Sequence, residues 1–410
     1  MSRLPFFFII TGMIGFVLFH GASLLTVSGW LGESVRGPSG WFHIHLFVLG
    51  WATMLAMGAV YQLINVILQS KLYSERLGYA HYVCFTVGLT GLLYGFLQGE
   101  VYYIALFATL AMVGILLFAW NMAVTLKRAA QWNAITISAA CAVLYLVLTA
   151  ISGMIMGINF ATGFWGAYHE QIFHAHIWLG TIGWFGLLIT GFSYKMLPMF
   201  YLAHHYPVRL QTISMLLWNA AVLFGTISFL SGGGRWPQWS TLLLLALAII
   251  IYNIHLLQII RFRNKRNPGF GIRWSVYGSQ TFAAVVIIAL LYTLAAPQQL
   301  FQAEFVLIAG WIYLGGWVSF TILGYASKIV PFLWWTHKYG KLVGKPGTPI
   351  MSALLNEKQV NIGLAAIAGS SLLLLSGLLW QSQLVFMLAS SAYSLCCIAY
   401  ISRIGLVFTR

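Results

Sequence analysis

Aspartate is absent from this chain, and six glutamates are its only acidic residues. Charged residues of both signs fill only 7% of its 410 positions, while apolar residues fill 60%. Soluble domains carry about a quarter charged residues, so this composition excludes an ordinary soluble protein and implies a membrane-embedded one. Cysteine is also scarce. Cys84, Cys141, Cys396 and Cys397 all fall inside apolar stretches, and neither C-x-x-C nor C-x-x-C-H occurs. A disulfide framework, a redox dithiol and a covalently attached c-type heme are therefore not expected.

What the chain has instead is apolar segments close to the ~20 residues that cross a bilayer. Twelve are predicted, at about 5–27, 41–67, 77–99, 101–125, 133–158, 171–200, 210–230, 239–260, 275–295, 305–335, 360–381 and 384–402. No small-residue cleavage site follows the first, which reads as a retained span. With the N-terminus inside, every Lys and Arg except Arg36 and Arg235 falls on the cytoplasmic side. Glu33, Glu100, Glu170 and Glu304 fall on the outer side. This asymmetry predicts a multi-pass protein of the cell (inner) membrane with both termini cytoplasmic. The net charge of +15 is then a topology signal, and no nucleic-acid partner is implied; the lipid bilayer is the expected one.

The chain repeats itself. Gly50-Trp51, Gly183-Trp184 and Gly316-Trp317 share one spacing, and Gly58, Gly191 and Gly324 follow in the same register. That register also pairs Tyr61 with Tyr194, Lys195 with Lys328, Pro198 with Pro331, and Tyr73 with Tyr206 and Tyr339. The expected fold is an all-α polytopic membrane protein forming one domain over 1–410. It comprises three pseudo-repeats of four spans, about 1–130, 131–265 and 266–410. The marked helices are spans two, six and ten. Their glycines read first as packing devices that let helices approach closely.

The repeat arranges the histidines in columns: His43, His176, Ala309; then His45, Trp178, Trp311; then Trp41, His174, Leu307. Residues two apart on an α-helix point roughly 200° from each other. His43 and His45 therefore suit two sites on opposite faces, as do His174 and His176.

The segment from His43 to Tyr61, H-I-H-L-F-V-L-G-W-A-T-M-L-A-M-G-A-V-Y, resembles the tenth span of heme-copper oxidase catalytic subunits. The likeness is greatest to the high-affinity type that carries only b hemes. The resemblance implies twelve spans in a pseudo-threefold array. It also implies an H-x-H pair whose first histidine holds a high-spin heme and whose second holds a low-spin heme. The stretch from His176 through G-F-S-Y-K-M-L-P is similar to other helices of that family.

Span ten here, "EFVLIAGWIYLGGW", has no histidine, and span seven lacks the family's His-His pair. His204, His205 and His337 sit too far toward the cytoplasmic end to replace them. Rotating the family's arrangement by one repeat places a six-coordinate heme b between His45 and His176. His43 could then hold a second heme with an open position. His20, His169 and His174 are weaker candidates for distal or second ligands; an interfacial, hydrogen-bonded role is the alternative for His169. His81 and His255 read as structural. Copper is not expected.

The resemblance implies a b-type heme protein that handles electrons or a small gas, oxygen or nitric oxide, with a quinol or cytochrome donor. Heme proteins of the NnrS type are similar in size and in their histidine-rich spans. Without a complete heme-copper centre, gas binding without rapid oxygen reduction is expected. The alternative is an accessory membrane protein that transfers heme or copper during assembly, with Met54, Met57, Met154, Met156 and Met199 as transient ligands. A solute transporter is a third reading, although inverted repeats with broken helices are not evident.

Overall fold

The computed structural model describes residues 2–26, 36–68, 71–296 and 302–410. Glu33 and the side chain of Glu304, both predicted at the outer face, lie outside the described residues. Among those residues, twelve helices are long and apolar enough to cross a bilayer. They are α1 (Leu4–Thr26), α2 (Pro38–Ile64), α3 (Glu75–Gln98), α4 (Val101–Lys127), α5 (Ala134–Thr162) and α6 (Gly166–Tyr201). The remaining six are α7 (Arg209–Leu230), α8 (Arg235–Arg261), α9 (Phe270–Ala295), α10 (Phe305–Leu342), α11 (Glu357–Leu379) and α12 (Gln383–Thr409). The chain is a multi-pass α-helical membrane protein. All twelve predicted windows find their helix. The start of α9 lies earlier than predicted because a carboxylate oxygen of Glu357 accepts the Phe270 N–H at 2.8 Å. Such a bond satisfies one of the unpaired donors at a helix start.

The helices group into two compact units. One comprises Met1–Gln62, Gly269–Ser275 and Ser319–Arg410, the other Leu63–Pro268 and Val276–Val318. In the first, α1 lies against α2 so closely that a Cβ on Gly15 would collide with the Gly50 carbonyl oxygen. Gly271 of α9 and Gly324 of α10 meet in the same manner, backbone to backbone. At one end of this unit Lys328 and Glu357 form an ion pair.

In the second unit, the α3–α4 hairpin turns through Gly99 at φ +67°, a left-handed position that favours glycine. A capping box formed by Asn133 and Thr136 opens α5. The α3–α4 contact is again small-residue packing, since a Cβ on Gly114 would lie 2.8 Å from the Phe85 backbone.

Three helices are composite. A π-helical segment interrupts α2 at Leu46–Thr53, α6 at Leu179–Gly186 and α10 at Ile312–Val318. Their first residues share the register of the Gly-Trp pairs, and each segment contains its pair. Trp51, Trp184 and Trp317 are all fully buried. π turns widen the helix and displace its i→i+4 ladder, which is costly in lipid unless the freed groups find partners. In α6 two carbonyls do: Trp218 donates its indole N–H to Ile182 O at 2.8 Å, and the Tyr313 hydroxyl donates to Thr181 O at 2.8 Å. The register glycines pack as well. A Cβ on Gly58 would lie 2.7 Å from Ile9 of α1, and one on Gly191 would lie 2.6 Å from Ser138 of α5.

Candidate functional site

His43 and His45 stand on the α-helical turn Pro38–His45, immediately before the first π segment. His174 and His176 stand on His169–Trp178, immediately before the second. Both pairs are on regular helix, so the two members of each pair point to different faces, as the sequence predicts.

The ring nitrogens are set by backbone carbonyls. His43 Nδ1 lies 2.7 Å from Ser39 O, and His45 Nδ1 lies 2.8 Å from Trp41 O. His176 Nδ1 lies 2.9 Å from Thr149 O and 3.1 Å from Ser152 Oγ. The His43 ring hydrogen-bonds the carbonyls of both Ser39 and Ala22. A carbonyl oxygen only accepts, so Nδ1 of His45 and of His176 carries the proton. In a neutral imidazole the lone pair then sits on Nε2. This is the tautomer a metal-ligating histidine uses when its second nitrogen is held by the backbone.

His43 is buried, and the Thr26 hydroxyl lies 3.3 Å from its Nε2. His45 and His176 are half-buried. The His176 ring lies over Gly153, where a Cβ would come within 3.0 Å of Cε1; the missing side chain makes room for the imidazole.

The weaker candidates divide. His20 is fully buried, with Nδ1 3.2 Å from Ser394 Oγ, and its Nε2 has no hydrogen-bond partner among the described residues. Phe16 meets this ring edge-on at 4.4 Å. An orphaned buried nitrogen of this kind needs a ligand or an ordered water.

His169 has the opposite tautomer. Trp165 N donates to Asn159 Oδ1 at 2.9 Å, which fixes that amide and turns its Nδ2 to donate to His169 Nδ1 at 3.0 Å. Its lone pair is thus engaged, and the residue serves the helix end. His174 is exposed, 5.8 Å from the Phe229 ring. His81 and His255 are buried: His81 lies 5.2 Å from Phe118, and His255 Nε2 lies 3.1 Å from Gln211 Nε2.

Among the described residues no three His, Cys, Asp or Glu side chains converge on one point. Heme does not require such a cluster, since one or two axial side chains hold its iron. A shallow cleft of about 350 Å³ is lined by Ile155, Trp165, Tyr168, Gln171, Ile172 and Leu230. No histidine lines it.

The sequence reading missed the supporting groups: the carbonyls of Ser39, Trp41 and Thr149, the Ser152 hydroxyl, and the space above Gly153. Carbonyls carry no sequence signal. The π segments did have one, the repeated Gly-Trp, which marks the repeat and close packing but does not by itself specify a π turn.

No family model matches the chain, and no curated protein matches it.

Proposed function

We propose that this protein is an integral-membrane b-type heme protein related to heme-copper oxidase catalytic subunits, with His45, His176 and His43 as the iron ligands. The observation that carries the reading is that Nδ1 of each of these three imidazoles faces a backbone carbonyl. Those bonds orient the rings and raise the basicity of Nε2. Ser152 adds a second restraint on His176.

The in-register π segments support three units of four spans, about 1–130, 131–265 and 266–410. The distribution of Lys and Arg supports cytoplasmic termini in a bacterial inner membrane. Labelling of single cysteines in a cysteine-free background tests the orientation; external labelling near residue 341 would reverse it.

A bound heme would supply one-electron transfer and, with one axial position open, gas binding. Copper is not part of the proposal, because the corresponding columns of α10 carry Ala309 and Trp311. The protein then binds a small gas without rapid oxygen reduction, taking electrons from a quinol or a cytochrome.

The test is a pyridine hemochrome count on purified protein, together with carbon monoxide difference spectra. At least one heme b per chain is expected. Heme far below one per chain, lost on gel filtration, would favour a carrier that hands on heme or copper. Burial of Met54 and Met57 within the core gives them a packing role. Stoichiometric copper with sustained, cyanide-sensitive oxygen consumption would contradict the proposal.

A further inference from the structure

No carboxylate occurs between Glu170 and Glu304. Within that stretch two loops of the second unit, with their flanking helix ends, carry five of its eight Lys and Arg residues. The loop after α6 carries His204 and His205 and leads to Arg209. The loop after α8 follows Arg261 and carries Arg263, Lys265 and Arg266. All of these except Arg263 are exposed.

The loops are joined backbone to backbone. Ala203 and Arg263 form an antiparallel bridge, Lys265 N donates to Tyr201 O at 2.9 Å, and Asn264 N donates to Leu202 O at 3.3 Å. Leu202 and His205 hold left-handed conformations, φ 49° and 57°, which non-glycine residues keep only where their surroundings over-determine them. Arg263 is turned back onto Ile260 O at 2.9 Å. Tyr206 packs its ring 5.7 Å from buried His255, and burial raises its phenol above the ordinary value, so it stays neutral.

Orientation in the membrane requires positive charge near helix ends, but it does not require the two loops that carry it to be joined backbone to backbone. Apolar side chains stand exposed on the same loops: Leu202 at 50%, Val208 at 60% and Phe262 at 42%. Cations beside exposed apolar groups at the ends of membrane helices match the two parts of a phospholipid, a phosphate and the start of its acyl chains.

We propose that the joined loops 202–209 and 261–266 form a binding site for an anionic phospholipid headgroup. Arg209, Arg261, Lys265 and Arg266 hold the phosphate, and Leu202, Val208 and Phe262 meet the acyl region. The site does not depend on heme.

The experiment titrates the delipidated, full-length protein in neutral detergent with phosphatidylglycerol or phosphatidylcholine and reads bound lipid by native mass spectrometry. Phosphatidylglycerol is expected to bind at least tenfold more tightly, and its binding to weaken in 0.5 M salt. At about fivefold per cation lost, Lys265→Gln with Arg266→Gln should weaken it roughly twenty-fivefold. A double variant Lys341→Gln with Lys345→Gln, on another loop, should leave it unchanged. Equal binding of the two lipids, or an unaltered Lys265/Arg266 variant, would overturn the site. Full competition by millimolar inorganic phosphate would assign it to a soluble anion instead. If the loop variant loses its helical circular dichroism, lipid preference and salt dependence of the wild-type protein still decide.

Discussion

Helices α6 and α10 share a construction and differ in what they carry. Each has a π segment in the same register, a buried Trp after a Gly, and a Pro further along, Pro198 or Pro331. Yet His174 and His176 precede the π segment of α6, while Leu307 and Ala309 stand at those positions in α10. Helix α2 sides with α6, carrying His43 and His45. The wide turn therefore does not need histidine nearby, and the histidines of α2 and α6 call for a separate explanation. The proposed ligation would supply it: Nδ1 of His43, His45 and His176 faces a backbone carbonyl, a restraint that a solvated surface imidazole does not require.

The largest expected effect breaks the comparison at the histidines. His45→Ala or His176→Ala should each lower retained heme at least tenfold while leaving helical circular dichroism unchanged. Heme analysis of the purified variants measures this. Ala309→Gly in α10, a similar local change without a ligand, should leave the heme content as it is.

A smaller effect separates the two helices by packing. A Cβ on Gly183 would lie 2.8 Å from Tyr145 Cβ, whereas one on Gly316 would meet nothing nearer than Ile312 Cγ2 at 4.0 Å. Gly183→Ala should cost about 1–3 kcal/mol by overpacking, and Gly316→Ala should be close to neutral. Thermal unfolding in detergent distinguishes them; equal midpoints would show that the two π turns are packed alike.

Effects no larger than that concern the carbonyls of the α6 π segment. Trp218→Phe leaves Ile182 O without its indole donor, and Tyr313→Phe leaves Thr181 O without its hydroxyl donor. Each should destabilise by about 1–3 kcal/mol, the cost of a buried acceptor left unpaired. A wild-type midpoint in both would show that the widened turn satisfies its own carbonyls.

The spans were legible because lipid imposes one demand, a long apolar run, and the chain meets it twelve times. Boundaries were less so. Arg273 interrupts the apolar window of α9, and only the Glu357 carboxylate, 87 residues away, reveals why the helix begins at Phe270. The π segments left a trace in the repeated Gly-Trp, but a side-chain pattern cannot distinguish a π turn from close packing. At the candidate site the opposed faces of each histidine pair followed from spacing, while the choice of His43, His45 and His176 rested on the family resemblance. The surroundings of His176 and His169 did not follow from either, because Thr149, Ser152 and Asn159 belong to the neighbouring α5.

The central proposal is that His45 and His176 are heme ligands, and the spectrum of low-spin heme reads this most directly. Oxidised, purified protein should give the electron paramagnetic resonance signal of low-spin, imidazole-ligated heme, and His45→Ala and His176→Ala should each diminish it. A protein that purifies without heme, or a low-spin signal that survives unchanged in both variants, would contradict the account.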